Sequence, residues 1–136
     1  MRRSLPLLAV PLAALAVAGC GETASESSAE KFKGEQKAVA QVVEDLQDAG
    51  EKKDAERICD DILSPRLVAE VKAGGASCAA EMKRSLNDAD QFELDVQSVT
   101  VEGPNAEARV RGEGSETATL RFAKERGGWR ATDLGG

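Results

Sequence analysis

Three cysteines, Cys20, Cys59 and Cys78, are the reactive side chains of this chain, and it has no histidine and no tyrosine. That absence narrows the chemistry. Ser64, Ser77 and Ser85 have no imidazole to take their proton, so a nucleophilic serine mechanism lacks its base. Asp60 and Asp61 stand side by side, but neighbouring helical residues point about 100° apart. They read as a solvated face, not an acid–base pair. Asp88 and Asp90 in "NDAD" carry oxygens suited to a cation but lack the glycine and distal glutamate of a calcium loop. "AGGAS" at 73–77 has neither the lysine nor the preceding strand of a phosphate loop; it reads as a helix stop followed by a cap. No catalytic residue, metal site or cofactor is predicted, and the chain is read as non-catalytic.

Cys20 ends a different pattern. Arg2 and Arg3 precede an apolar run, Leu5 to Gly19, that Pro6 and Pro11 interrupt. The run falls short of the roughly 20 residues a membrane helix needs and has the form of a secretory signal peptide over residues 1–19. Val17-Ala18-Gly19-Cys20 resembles the lipobox of bacterial lipoproteins. The resemblance implies cleavage before Cys20, a diacylglycerol on its thiol and an acylated new terminus, and so a protein held by lipid at the outer face of the cell membrane. Residues 20–30 then form a tether. Its serines and glutamates include no large apolar side chain to offset ordering, and ten such residues reach about 18 Å as a coil. An ordinary cleaved signal with a free cysteine, or an uncleaved anchor, are the alternatives.

An odd cysteine count in an exported chain asks for an explanation. With lipid on Cys20, Cys59 and Cys78 are left as a pair, and an oxidising compartment favours their bridge. Two reduced core cysteines or a metal site are the alternatives; with no histidine, two thiols make a poor zinc site. The whole chain has a formal charge of −6. Removing the two leader arginines makes the mature chain −8, which argues against nucleic acid as a partner. Three Phe and one Trp are the only aromatics, so the core must come from Val, Leu, Ile and Ala.

Residues 31–136 suit one domain. Val39, Val42, Val43 and Leu46 recur at helical spacing, predicting a first helix over about 29–52. A second, about 54–63, has Asp54 as its cap. Ser64-Pro65 opens a third, since serine caps and proline fits the first helical position; Gly74-Gly75 ends it. Ser77 caps a fourth, with Met82 and Leu86 on its buried face. Then the period becomes two. Phe92, Leu94 and Val96 alternate with Glu93 and Asp95. Val99 and Val101 follow in opposite parity, which predicts a bulge near Gln97-Ser98. Ala106, Ala108 and Val110 alternate with Glu107, Arg109 and Arg111, and Ala118, Leu120 and Phe122 with Thr117, Thr119 and Arg121, so opposite charges face each other on the polar side. Helices followed by a four-stranded antiparallel meander is an α+β plan.

That order, with the last strand reading Gly128-Trp129-Arg130-Ala131-Thr132-Asp133-Leu134, resembles the NTF2-like (SnoaL-like) superfamily, and in particular small lipoproteins of high-GC bacteria that carry this domain, over about residues 31–134. Cysteines at the places of Cys59 and Cys78 recur in those proteins. The resemblance implies a cone: a long helix across a curved sheet, with a pocket between. It does not carry over a reaction: enzymes of the superfamily place His, Asp or Tyr in that pocket, and this chain has no His and no Tyr. Strand parity places Phe92, Leu94, Val110, Leu120, Phe122 and Trp129 on the concave face, against Val39, Val43 and Leu46. The expected function is a non-catalytic binding module for a small apolar ligand or an envelope partner. The alternative is an accessory lipoprotein with a closed core and a protein-docking surface.

Overall fold

The computed structural model describes residues 28–89 and 92–135; the expected leader and Cys20 lie outside them. Among the described residues no helix is long and apolar enough to cross a membrane. The architecture is α+β. Helix α1 (Gly34–Glu51) is followed by a short α2 (Ala55–Arg57), α3 (Pro65–Ala73) and α4 (Cys78–Asp88). Strands β1 (Asp95–Glu102), β2 (Asn105–Arg111), β3 (Thr117–Glu125) and β4 (Gly128–Asp133) form an open antiparallel meander in sequential order.

The expected first helix is broken. Ser28–Lys31 is a separate 3-10 turn, and Gly34 has φ +61°, a left-handed backbone that an α-helix cannot continue through. The turn folds back along α1: the Ala29 N–H donates to Glu44 Oε1 at 2.8 Å, and Ala29 is buried. Ser28, Ala29 and Glu30 fall within the stretch expected to be tether. The second helix also changes form. Asp54 accepts from the Arg57 N–H as its cap, but after Arg57 the chain widens into a π turn, Ile58–Ile62. Its extra residue lets Ile58, Cys59 and Ile62 all be buried. The chain then leaves extended, so that Leu63 bridges Ala131 in parallel and the Ser64 N–H donates to the Ala131 carbonyl at 2.8 Å. The outer edge of β4 is covered there. Ser64 and Ser77 cap α3 and α4 as expected, accepting from the Leu67 and Ala80 N–H groups.

The sheet has one buried and one solvated face, the usual antiparallel arrangement. Side chains along β2 alternate strictly, with Ala106, Ala108 and Val110 buried. The expected bulge is present: pairing with β2 shifts between Val96 and Ser98, which turns both Val96 and Val99 inward. A second shift, between β3 and β4 at Arg121/Phe122, has no counterpart in the sequence pattern. Phe92 and Leu94 precede β1 instead of opening it. On the solvated face Arg111 pairs with Asp95 at 3.3 Å and Arg121 with Glu107 at 3.2 Å. Exposed cross-strand pairs of this kind contribute about 0.2–1 kcal/mol each.

Two fastenings hold the layers. Cys59 and Cys78 are joined by a disulfide, Cα atoms 6.1 Å apart, which ties the π turn to the first residue of α4. At the start of α1, Glu35 takes a hydrogen bond from Lys124 Nζ at 2.6 Å and another from Trp129 Nε1 at 2.7 Å. The lysine, then the indole N–H, hold the Glu35 carboxyl below its ordinary value of 4.5.

Two outcomes follow from these fastenings. The disulfide closes a loop of 19 residues in sequence separation, so reducing it should lower unfolding free energy by about 2–4 kcal/mol in denaturant titrations with and without reductant. Glu35 is charged more readily in the folded than the unfolded chain, so its contribution is present above pH 4.5 and lost as pH falls through the lower folded value. Glu35→Gln should therefore melt below wild type at pH 7, and the two melting curves should converge as the pH falls through the lowered Glu35 value. A gap that persists in acid would show that charge is not the cause.

Candidate ligand recess

Helix α1 is seated on the sheet by its apolar stripe. Val39, Ala40 and Val43 are fully buried, as are Ala108 and Ala131 on the facing strands. Small residues at the sheet centre let the helix settle close, so this part of the interface is filled. Two glutamines fix the helix against β1. Gln36 Nε2 donates to the Val99 carbonyl at 3.0 Å, and Gln47 Oε1 accepts from the Leu94 N–H at 2.8 Å. Eleven residues is close to three helical turns, so both amides leave α1 on the same side.

The space between the layers opens at the far end of α1. A recess of ≈270 Å³ is walled by Leu46 of α1, Ile58 of the π turn, Met82, Ser85 and Leu86 of α4, Phe92 and Leu94 before β1, Leu120 of β3 and Leu134 after β4. Four residues expected to form a pocket are here: Leu46, Phe92, Leu94 and Leu120. Five are not. Val39, Val43, Val110, Phe122 and Trp129 are buried elsewhere in the interface and do not line this recess. Parity puts a residue on the correct face of a strand but does not say how far along the helix it lies. Trp129 sits beside Glu35, and eleven residues separate Glu35 from Leu46, about 16 Å along the helix axis. Trp129 is therefore a fastening and not a wall of the recess.

Ile58, Met82, Ser85, Leu86 and Leu134 were not anticipated as pocket residues. Met82 and Leu86 had a signal, an apolar side at helical spacing. What the spacing does not contain is that α4, pulled in by Cys78, meets the end of α1. One further residue shapes the site. Gly50 is in the last turns of α1, and an added Cβ would stand 2.5 Å from Phe92 Cε1 and 2.6 Å from Cγ. The ring rests directly on the helix backbone, and the glycine makes room for it. A helix-interior glycine costs about 1 kcal/mol relative to alanine, so this wall is built at the expense of helix propensity.

A larger depression, ≈440 Å³, lies beside the disulfide, but it is shallow and is ringed by Asp60, Lys72, Glu125 and Arg130. Asp60 and Asp61 are both exposed, and the Asp60 carbonyl accepts from Arg130. Among the described residues no three His, Cys, Asp or Glu side chains gather as a metal site. The strongest ionic cluster joins α1 to α2. Arg57 reaches Asp48 at 2.7 Å and Asp45 at 3.2 Å. Lys52, then Arg57, lower the Asp48 carboxyl, while Asp48 raises the Arg57 guanidinium. These groups brace the C-terminal end of α1 against α2.

Gly50→Ala tests the ring contact. Despite the gain in helix propensity, the variant should lose about 1–3 kcal/mol through overpacking. Gly50→Ala combined with Phe92→Leu should recover most of that loss, a coupling readable in a double-mutant cycle. Additive effects would mean that the ring does not hold this position.

Compared with known proteins, the chain matches no protein-family model, no curated protein and no solved structure.

Proposed function

We propose that this chain is a lipid-anchored extracytoplasmic binding module, attached through Cys20, whose recess takes a small apolar ligand. The supporting observation is the open apolar recess at the end of α1, set against an interface in which Val39 and Val43 are fully buried. Concave apolar space with few polar groups is the usual form of a small-molecule site. It lies where the end of α1 meets α4, the π turn and Leu120 of the sheet; the NTF2-like reading expects a pocket between helix and sheet. The recess offers no nucleophile with a base, so binding and not turnover is the function it supports. The accessory reading draws on α3, whose Leu67, Val68 and Val71 pack half-buried against the core while none of its residues is fully buried; on that reading the exposed side of α3 would meet an envelope protein.

Native mass spectrometry of the exported full chain, carrying Cys20→Ala so that no acyl group interferes, tests the proposal. The chain should carry a non-covalent mass that Met82→Trp, filling the recess from a half-exposed wall position, displaces without a large loss of stability. A chain that carries nothing, and whose Leu, Ile and Met methyl resonances ignore every apolar probe, would return the function to α3 and a protein partner.

A further inference from the structure

The recess has a charge preference built into its walls. Eight of its nine lining side chains are apolar, and the ninth, Ser85, is a neutral hydroxyl on the exposed side of α4. No Lys or Arg is among them. Among the described residues no buried side-chain polar atom lacks a hydrogen-bond partner, so none is held in reserve for a ligand's charged group. An ionised carboxylate entering this space would leave water and meet no counter-charge, which is strongly unfavourable.

The surroundings add to this. Residues 28–102 contain 17 carboxylates and 10 Lys or Arg, a net −7, whereas residues 103–136 contain 5 and 6, a net +1. Seven of the nine lining residues come from the acidic part, and only Leu120 and Leu134 from the other. An anion is thus disfavoured inside the recess, and the segment that supplies most of its walls carries a net negative charge, with Lys83 and Arg84 beside Ser85 as the nearest cations in sequence. Size narrows the ligand further. A dry cavity of about 150 Å³ accommodates benzene; ≈270 Å³ accommodates roughly ten carbon atoms on the same scale.

We infer that the recess selects an uncharged apolar group of roughly ten carbons and rejects the anion of the same shape. This rests on the binding function proposed above and adds the ligand's charge to it. Hydroxyl-bearing ligands are compatible, because Ser85 can donate to or accept from a single hydroxyl at the mouth.

Three naphthalene probes of one size separate the possibilities: 2-naphthylmethanol, neutral; 2-naphthoate, anionic; 2-naphthylmethylammonium, cationic. Each is titrated at pH 7 into the full chain carrying Cys20→Ala, and affinities are read from the methyl resonances of the Leu, Ile and Met residues that line the recess. The alcohol should bind at least tenfold more tightly than the carboxylate, and more tightly than the ammonium ion. Ser85→Lys, at an exposed helix position, should bring the carboxylate to within about threefold of the alcohol. Equal affinities for the alcohol and the carboxylate would overturn the charge preference while leaving the binding function standing. Binding of none of the three would overturn both. A Ser85→Lys chain that melts like wild type and gains nothing for the carboxylate would show that a missing counter-charge is not the cause.

Discussion

Everything in this fold depends on one contact, the seating of α1 on the inner face of the sheet. A chain with three Phe and one Trp cannot fill a thick core with rings, so it brings its layers close and fills a thin one. Val39, Ala40 and Val43 meet strands whose central inward residues are Ala108 and Ala131, all with no exposure to solvent. Burial at about 25 cal/mol per Å² is non-directional and would tolerate sliding. Direction comes from polar groups at the margins: Gln36 and Gln47 on β1, Glu35 on Lys124 and Trp129. These bonds set where the helix lies, while the apolar stripe supplies most of the reason for it to lie there at all.

The same thinness explains how the remaining elements are used. A four-stranded open sheet has two edges to protect. Gln36 occupies a carbonyl of β1, and Leu63-Ser64 pairs with β4 after the π turn has redirected the chain. The disulfide then draws α4 against that turn. α3 is capped by Ser64 and has no fully buried residue, packing Leu67, Val68 and Val71 half-buried against the core. The acidic helical half is tied internally by Arg57, which reaches two turns of α1 at once.

Much of this was legible in the residues. Period two over 105–111 and 117–122 predicts strands with the correct inward faces, because a half-solvated antiparallel sheet forces alternation. Parity reversal after Val96 predicts the first bulge, and Ser64-Pro65 and Ser77 predict two helix starts through local hydrogen bonding. What was hidden has tertiary causes. Gly34 breaks the first helix because Ala29 is drawn back to Glu44, a partner that spacing does not name. The π turn has the composition of an ordinary helix; its extra residue is taken up so that Leu63 can reach Ala131. The bulge opposite Arg121/Phe122 leaves the alternation of β3 intact. At the recess, Leu46, Phe92, Leu94 and Leu120 could be read from face alone, whereas Ile58, Met82 and Leu134 depend on where helix ends and chain ends meet.

The position of the recess then follows from geometry. A sheet is twisted, and a helix is nearly straight over the five turns of Gly34–Glu51. Contact that is close around Val39 and Val43 must loosen toward an end. At the first turn the gap is closed by the large indole of Trp129 and the Glu35 clasp. At the last turn the residue on the inner side is Gly50, which contributes no side chain, and the Phe92 ring lies flat against it as a wall. One end of the helix is thus filled by the chain's only tryptophan, and the other is left open, with a glycine on the helix side. An apolar opening of this size costs stability if nothing occupies it, since its lining forgoes close contacts. The mismatch between the two ends therefore follows from the twist of the sheet and from the side chains placed at each end of α1: an indole clasped by Glu35 at one, a glycine under an apolar recess at the other.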